Sequence, residues 1–223
     1  MNNPGQDYYA FKQAGLADAY KIVGNWHLFM ECKSPAPGAF RDIPDGYAAR
    51  LCRRDELEIW KGVAAHKAYV DYVTAYYDRV YAENEEEFFR RCTFICDGGD
   101  RPVATSFIWK SYGTINTVGW TRTLPEHEGK GLGRALFSEI LREAEYPIYL
   151  HTQPSSVRAL KLYSDFGFKL ITNPIIGYRK NDLAKSLPFL EKVMTRADYD
   201  KLRFTEADEA LHKAALSNEH EEF

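Results

Sequence analysis

"LPEHEGKGLGRALF", residues 124–137, sets glycine at 129, 131 and 133 and then runs straight into an apolar-periodic stretch. Alternating glycines start a helix poorly unless a ligand must lie against bare backbone. The first N–H groups of a helix have no internal partner, and the helix dipole adds about half a positive charge at that end. Glycine lets an anion approach those amides because no Cβ intervenes. Lys130 and Arg134 add charge, so the stretch reads as a phosphate cradle between a strand and a helix. The Walker loop requires G-x-x-x-x-G-K-[ST], which is absent, and the dinucleotide pattern G-x-G-x-x-G fails from Gly129 and from Gly131 alike. The next strand, "IYLHTQ", also lacks the acid that would hold a ribose.

Working upstream, "TINTVGWTRTL" (114–124) reads as the strand that feeds the loop, and Gly119 inside it signals a bulge or a close backbone approach. "CTFICD" (92–97) and "RPVATSFIWK" (101–110), parted by Gly98-Gly99-Asp100, form a hairpin. Cys92 and Cys96 fall on one face of the first of these strands and read as buried free thiols. Residues 69–91 are helical, with Tyr69, Tyr72, Tyr76, Tyr77 and Tyr81 making a broad aromatic face that suits a core or a pocket wall. Asp55 is expected to cap the helix before it, with Glu58 completing a capping box. "YAARLC" (47–52) is a strand, and a further strand lies somewhere in 20–32. Between them "KSPAPGAFRDIPDGY" (33–47), with Pro35, Pro37 and Pro44, has loop chemistry.

Downstream, Phe137, Ile140, Leu141 and Ala144 keep one helical stripe that ends at Tyr146-Pro147. "IYLHT" (148–152) is a strand, a helix from Ser155 or Ser156 stops at Gly167, "FKLI" (168–171) is a strand, and 177–182 can hold one more. The tail from 183 is helical and charged, with Thr205 and Asp208 as a cap for its last helix. This order gives a mixed α/β fold of the α+β type, a largely antiparallel central sheet flanked by helices.

A second motif makes the first specific. "LPEHEGKGLGRAL" resembles motif A of the GCN5-related N-acetyltransferase (GNAT) superfamily, with Glu128 at the Arg/Gln position and Gly131 and Gly133 matching. "SVRALKLYSDFGF" (156–168) resembles motif B, with Ser156 at the Asn position and Ala159, Tyr163, Gly167 and Phe168 matching. The resemblance covers roughly residues 47–180 and implies the acyl-CoA N-acyltransferase fold. It also implies an N-terminal extension (1–46), a GNAT domain (47–180) and a helical C-terminal extension (181–223).

The resemblance further implies acetyl-CoA as co-substrate, in a cleft where the strands at 114–124 and 148–152 splay apart. Thr121, Arg122 and Thr123 would pair with the pantetheine arm. The amides of Glu128, Gly129, Lys130, Gly131, Leu132, Gly133 and Arg134 would hold the pyrophosphate. Ser156, Ala159 and Tyr163 would share the facing side of their helix, with Tyr163 as the general acid. His151 is the leading general base on chemical grounds, in competition with a purely structural strand-end histidine; His127, His66 and Glu58 follow. The implied reaction moves acetyl from CoA to a primary amine, small molecule or peptide. The alternative is a non-catalytic acyl-CoA-binding or sensor protein of the same fold.

The composition agrees with that class. The 223 residues, 45% hydrophobic and 14% aromatic, can fill a sizeable core. A net charge of −3 and a pI near 6.1 argue against a nucleic-acid partner. No apolar run approaches the ~20 residues that cross a bilayer, no signal peptide or metal-ligand pattern is evident, and the four cysteines form no disulfide framework. A cytoplasmic protein is expected, with residues 183–223 as a candidate dimerisation element.

Overall fold

The computed structural model describes residues 15–217 and 221–223; the sequence-based reading of residues 1–14 lies outside them. The chain divides into two compact units, residues 1–34 with 149–221, and residues 35–148 with 222–223. The seams at 34/35 and 148/149 thus differ from the boundaries at 46/47 and 180/181 that the sequence suggests. The fold is mixed α/β, with mostly antiparallel strands flanked by helices.

The 35–148 unit is an antiparallel meander in the order β5-β4-β3-β2, from Tyr47–Leu51 (β2), Thr93–Asp97 (β3), Pro102–Ser111 (β4) and Ile115–Thr123 (β5). Strand alternation sends neighbouring residues to opposite faces, and each face has its own helices. Phe94, Cys96, Phe107 and Trp109 pack under Trp60, Tyr77, Tyr81 and Phe88. These come from Leu57–Ala64 (α2), Val70–Val80 (α3), the turn after it, and Glu85–Arg91 (α4). On the other face Ile95, Val103 and Ala104 meet Leu132, Ala135 and Leu136 of Leu132–Leu141 (α5). Cys32, Cys52, Cys92 and Cys96 are all buried free thiols, as the strand parity of "CTFIC" requires for its two.

The expected capping box shifts by two residues. Arg53 is the cap, and its backbone N–H donates to Glu56 Oε2 at 2.9 Å, while Glu58 pairs with Lys61 at 2.6 Å. Glu56 wins because it also receives both Arg50 Nη atoms, at 2.7 and 2.8 Å, an anchor that Asp55 lacks among the described residues.

The bulge expected at Gly119 is present. Thr105 pairs with Arg122 and Phe107 with Gly119, so Trp120 and Thr121 together oppose Ser106. A Cβ on Gly119 would lie 2.8 Å from Phe107 Cζ. The buried Ser106 hydroxyl fills the bulge, meeting Thr121 Oγ1 at 2.7 Å and the Gly119 carbonyl at 3.3 Å. Trp120 takes a left-handed φ of 44°, a conformation that costs a bulky residue about 1–3 kcal/mol.

The other unit orders its strands β10-β7-β1-β6, from Phe204–Thr205 (β10), Lys169–Ile171 (β7), Leu28–Cys32 (β1) and Ile148–Thr152 (β6). β1 and β7 are antiparallel, and β10 runs parallel to β7, which the sequence reading of a purely helical tail missed. Its helices are Leu16–Val23 (α1), Val157–Asp165 (α6), Leu183–Val193 (α7), Arg196–Tyr199 (α8) and Glu209–Leu216 (α9), and Ile175–Ile176 (β8) with Arg179–Lys180 (β9) forms a hairpin. Asp208, rather than Thr205, is the N-cap residue of α9.

Glu31 of β1 is 2% exposed beside Asp208, whose partner is Lys33 at 2.7 Å. Burial first, then Asp208, push the Glu31 carboxyl from 4.5 up to about 7. The folded state therefore binds this proton more tightly than the unfolded chain. The stability it contributes is complete below about 4.5 and is lost as pH rises to about 7. Glu31→Gln is expected to abolish that loss, about 2–3 kcal/mol, and to stabilise the protein at pH 8. Urea unfolding midpoints at pH 5 and pH 8 decide it; an equal pH dependence in both proteins would refute the assignment.

Candidate active site

β5 leaves the sheet through one turn of 3-10 helix, Pro125–His127, and reaches α5 by way of Gly129 and Gly131 at φ 76° and 81°. Residues with a Cβ avoid that region, which explains two of the three glycines. Gly131 is the N-cap residue of α5 and provides no side-chain cap, so the helix start stays open. The loop is held from outside: Tyr47 OH meets His127 Nδ1 at 3.0 Å and accepts from Lys130 Nζ at 3.2 Å. Arg101 pairs with Glu126 at 2.9 Å.

The backbone donors can be counted. Glu128 N–H donates to Pro125 O at 3.2 Å, and Arg134 N–H to Gly131 O at 3.1 Å. Gly129, Lys130, Gly131, Leu132 and Gly133 lie between them, and none of their N–H groups donates to a backbone acceptor among the described residues. The open set is therefore 129–133, narrower than the 128–134 expected from sequence. Five adjacent amides at a helix N-terminus fit a diphosphate. Glu128 is exposed at its edge, and Arg134 Nη1 reaches Ala39 O at 3.3 Å.

On β5 the side chains expected near a cofactor have structural partners. Thr121 is bonded to Ser106. Arg122 Nη1 donates to the carbonyls of Gly62, Val63 and Ala65 at 3.3, 2.8 and 2.7 Å. It thereby closes the C-terminus of α2, where cations are favoured. The sequence offers no warning of this cap, because its partners lie far apart along the chain.

The other unit carries the second motif. Ser156 is the N-cap residue of α6 and Tyr163 is 7% exposed near its end. Gly167 has φ 92°, its N–H donates to Ser164 O at 3.0 Å, and Phe168 N–H donates to Tyr163 O at 3.0 Å. This is a Schellman ending, and the Tyr163 and Phe168 rings, 6.1 Å apart, supply its usual apolar contact. The Tyr…Gly-Phe spacing is thus first a way to stop a helix. Ser156 and Ala159 are partly exposed on the same helix face as Tyr163.

His151 of β6 sits in a cluster that the sequence did not reveal. Its Nε2 lies 2.9 Å from His27 Nδ1 and 2.9 Å from Arg179 Nη2. Arg179 also reaches His27 Nδ1 at 3.2 Å and pairs with Glu221 at 3.4 Å, while His27 N–H donates to Asp182 at 2.9 Å. Burial, then the Arg179 charge, then His27 hold the His151 ring well below the usual histidine range, and burial and Arg179 lower His27 as well. Both rings are neutral at pH 7. The His151 ring lies 5.2 Å from Phe29, placing it on the Phe29 and Glu31 face of β1. Cys32, of opposite parity, bonds Phe166 O at the end of α6. His151 and the Tyr163 helix therefore occupy opposite faces of this sheet.

Among the described residues no cluster of metal-ligating side chains occurs, and no helix is long and apolar enough to cross a membrane.

Residues 58–168 match the acetyltransferase (GNAT) family model, a span that holds the cradle and the Schellman ending together. The chain belongs to the GNAT family. Acetyl-CoA use is general among GNAT proteins. Solved structures similar to this GNAT chain include a GCN5-related N-acetyltransferase from Sphaerobacter thermophilus, 18% identical with a TM-score of 0.48. The match covers 65% of this chain and 47% of that one. A Drosophila protein is 17% identical with a TM-score of 0.45, covering 64% and 46%. The GCN5-related N-acetyltransferase from Kribbella flavida is 18% identical with a TM-score of 0.37, covering 60% and 53%. The matched part thus spans about half the length of these chains. Comparison with proteins of curated function gives no match.

Proposed function

We propose that this GNAT protein is an acetyl-CoA-dependent N-acetyltransferase that passes an acetyl group directly to a primary amine. The run of amides from Gly129 to Gly133, without internal acceptors at the start of α5, carries this reading. When bound, acetyl-CoA supplies an acetyl group activated as a thioester. The five amides would hold its diphosphate, Lys130 and Arg134 would offset charge, and the backbone of Thr121–Thr123 would align the pantetheine arm. Ser156 and Ala159 would line the same ligand. Tyr163 would give its phenolic proton to the departing thiolate. With a phenol near 10 and a thiol near 8.5 that transfer is uphill by about 2 kcal/mol, which the site must supply.

His151 is neutral and so able to accept a proton, but burial and then the Arg179 charge beside it make it a weak base. In this reading the proton of the incoming ammonium leaves to water.

Calorimetric titration with acetyl-CoA and CoA, followed by thiol release across an amine panel, tests the proposal. Tyr163→Phe is expected to lower kcat by about 10–100-fold with the CoA affinity unchanged. An unchanged kcat would remove Tyr163 from the chemistry. The tethered His151 and the absence of Asp or Glu from β5 (115–123) favour the second reading, an acyl-CoA sensor without turnover. Tight acetyl-CoA binding with no thiol release from any amine would select it.

A further inference from the structure

The tyrosine helix does two jobs. Tyr77 and Tyr81 are buried in the core, whereas Tyr69 and Tyr72 are 64% and 59% exposed. Tyr72 lies 6.1 Å from Trp120, centroid to centroid, and Tyr76 lies 5.4 Å from Trp120 and 6.4 Å from Tyr72. Three rings thus form one platform, built around the residue that the β5 bulge turns into a left-handed conformation. Packing in the core does not require such a platform to remain open. Strained backbone clusters at active sites and ligand clamps, and a contiguous exposed apolar patch marks an interaction site.

A carboxylate and a guanidinium act on the platform. Glu222 is fixed at the tip of the β4–β5 hairpin: its Oε2 accepts from Tyr112 N–H at 2.6 Å, its N–H donates to Tyr112 OH at 3.2 Å, and its carbonyl accepts from Ser111 Oγ at 3.1 Å. Burial, then Tyr72, then the Glu222 carboxylate push the Tyr76 phenol up. The Arg79 guanidinium lies 5.2 Å over the Tyr76 ring and opposes that rise.

The geometry points to an acceptor that is an amine with a flat apolar body, of the arylalkylamine class. Its body lies on Tyr72 and Trp120, and its ammonium is drawn by Glu222. This rests on the acetyltransferase reading for the reaction, though not for the binding. β5 runs from the hairpin toward the cradle, so a thiol arm laid along Thr123 to Thr121 ends at Trp120. A ring face attracts an alkylammonium as well as an apolar body, which makes the platform suited to both parts of such a molecule.

The full-length protein can be titrated calorimetrically with phenethylamine, spermidine and a lysine-containing peptide, without and with CoA, and kcat/KM measured for each with acetyl-CoA. Phenethylamine is expected to bind and react at least about tenfold better than spermidine or the peptide. Tyr72→Ala removes an exposed ring and leaves the core intact; it is expected to raise the phenethylamine KM and Kd roughly tenfold with little change in kcat. Glu222→Gln is expected to weaken phenethylamine several-fold and to lessen the salt dependence of its binding. Preference for spermidine or the peptide, or a Tyr72→Ala protein with unchanged phenethylamine affinity, would overturn the inference. If acetyl-CoA binds and no amine is acetylated, the acetyltransferase reading fails. The amine titration then still decides this one.

Discussion

Gly131→Asp is expected to weaken acetyl-CoA binding by at least about 100-fold, roughly 2.7 kcal/mol, while leaving the fold as stable as before. Two effects add. A carboxylate at the N-cap of α5 repels the diphosphate directly. It also accepts hydrogen bonds from the first amides of the helix, as Asp does at an N-cap, and so competes for the donors the ligand needs. The position is open: a Cβ on Gly131 would meet only Pro44 Cγ, at 3.9 Å, so the cost of a side chain there comes from the left-handed backbone and not from its neighbours. Asp tolerates φ 81° better than most residues, and a new cap offsets the remaining strain. Gly131→Ala is the control: it carries the strain of a left-handed Cβ, about 1–2 kcal/mol, without charge or cap. It is expected to lose stability and to keep most of its affinity. Calorimetric titration together with urea unfolding separates the two, and an Asp variant that binds acetyl-CoA like the parent would mean the cradle holds something else.

The largest stability effect is expected at Trp60. It is fully buried, and its ring meets those of Tyr77, Tyr81, Phe88, Phe107 and Trp120 at centroid distances of 4.8 to 6.3 Å. Trp60→Ala removes the centre of that cluster and is expected to cost about 3–5 kcal/mol. Trp60→Phe is expected to cost less than half as much, because the Trp60 Nε1–H has no hydrogen-bond acceptor among the described residues and its removal relieves a buried orphan donor. Denaturant midpoints for both variants check the ordering. Equal losses would show that a phenyl ring cannot stand in for the indole here and that removing the orphan donor brings no relief. Trp60 lies 6.2 Å from Trp120, so the Ala variant also withdraws support from the strained bulge residue.

Which features were legible follows from how far apart the interacting residues lie. The bulge at Gly119 and the helix stop at Gly167 are written locally, because each depends on a backbone conformation or close approach at one glycine, and the β3–β4 hairpin turns through Asp100 at φ 61°. The glycines of the cradle predicted an anion site for the same reason. Their hydrogen-bond census could not be read, since it depends on which carbonyls the 3-10 turn brings near Glu128. The capping box moved because Glu56 serves Arg50 as well, a cross-element demand invisible to a rule about spacing. β10, Phe204–Thr205, pairs with a strand far away in the chain and is too short for alternation to carry a signal. The His27–His151–Arg179 cluster joins three distant segments. A lone histidine in "IYLHT" offered no sign that a guanidinium would fix its charge.

β10 also determines what the chain can safely lose. Leu170 N–H donates to Arg203 O and Thr172 N–H to Thr205 O, both at 2.8 Å, so residues 203–205 occupy the outer hydrogen-bonding rim of β7. A polypeptide shortened ahead of residue 203 would present that rim, with buried Leu170 and Ile171 beside it, to any extended segment it met. Residues 203–205 therefore work as a selvedge, a finished border that keeps one molecule from being woven into the next.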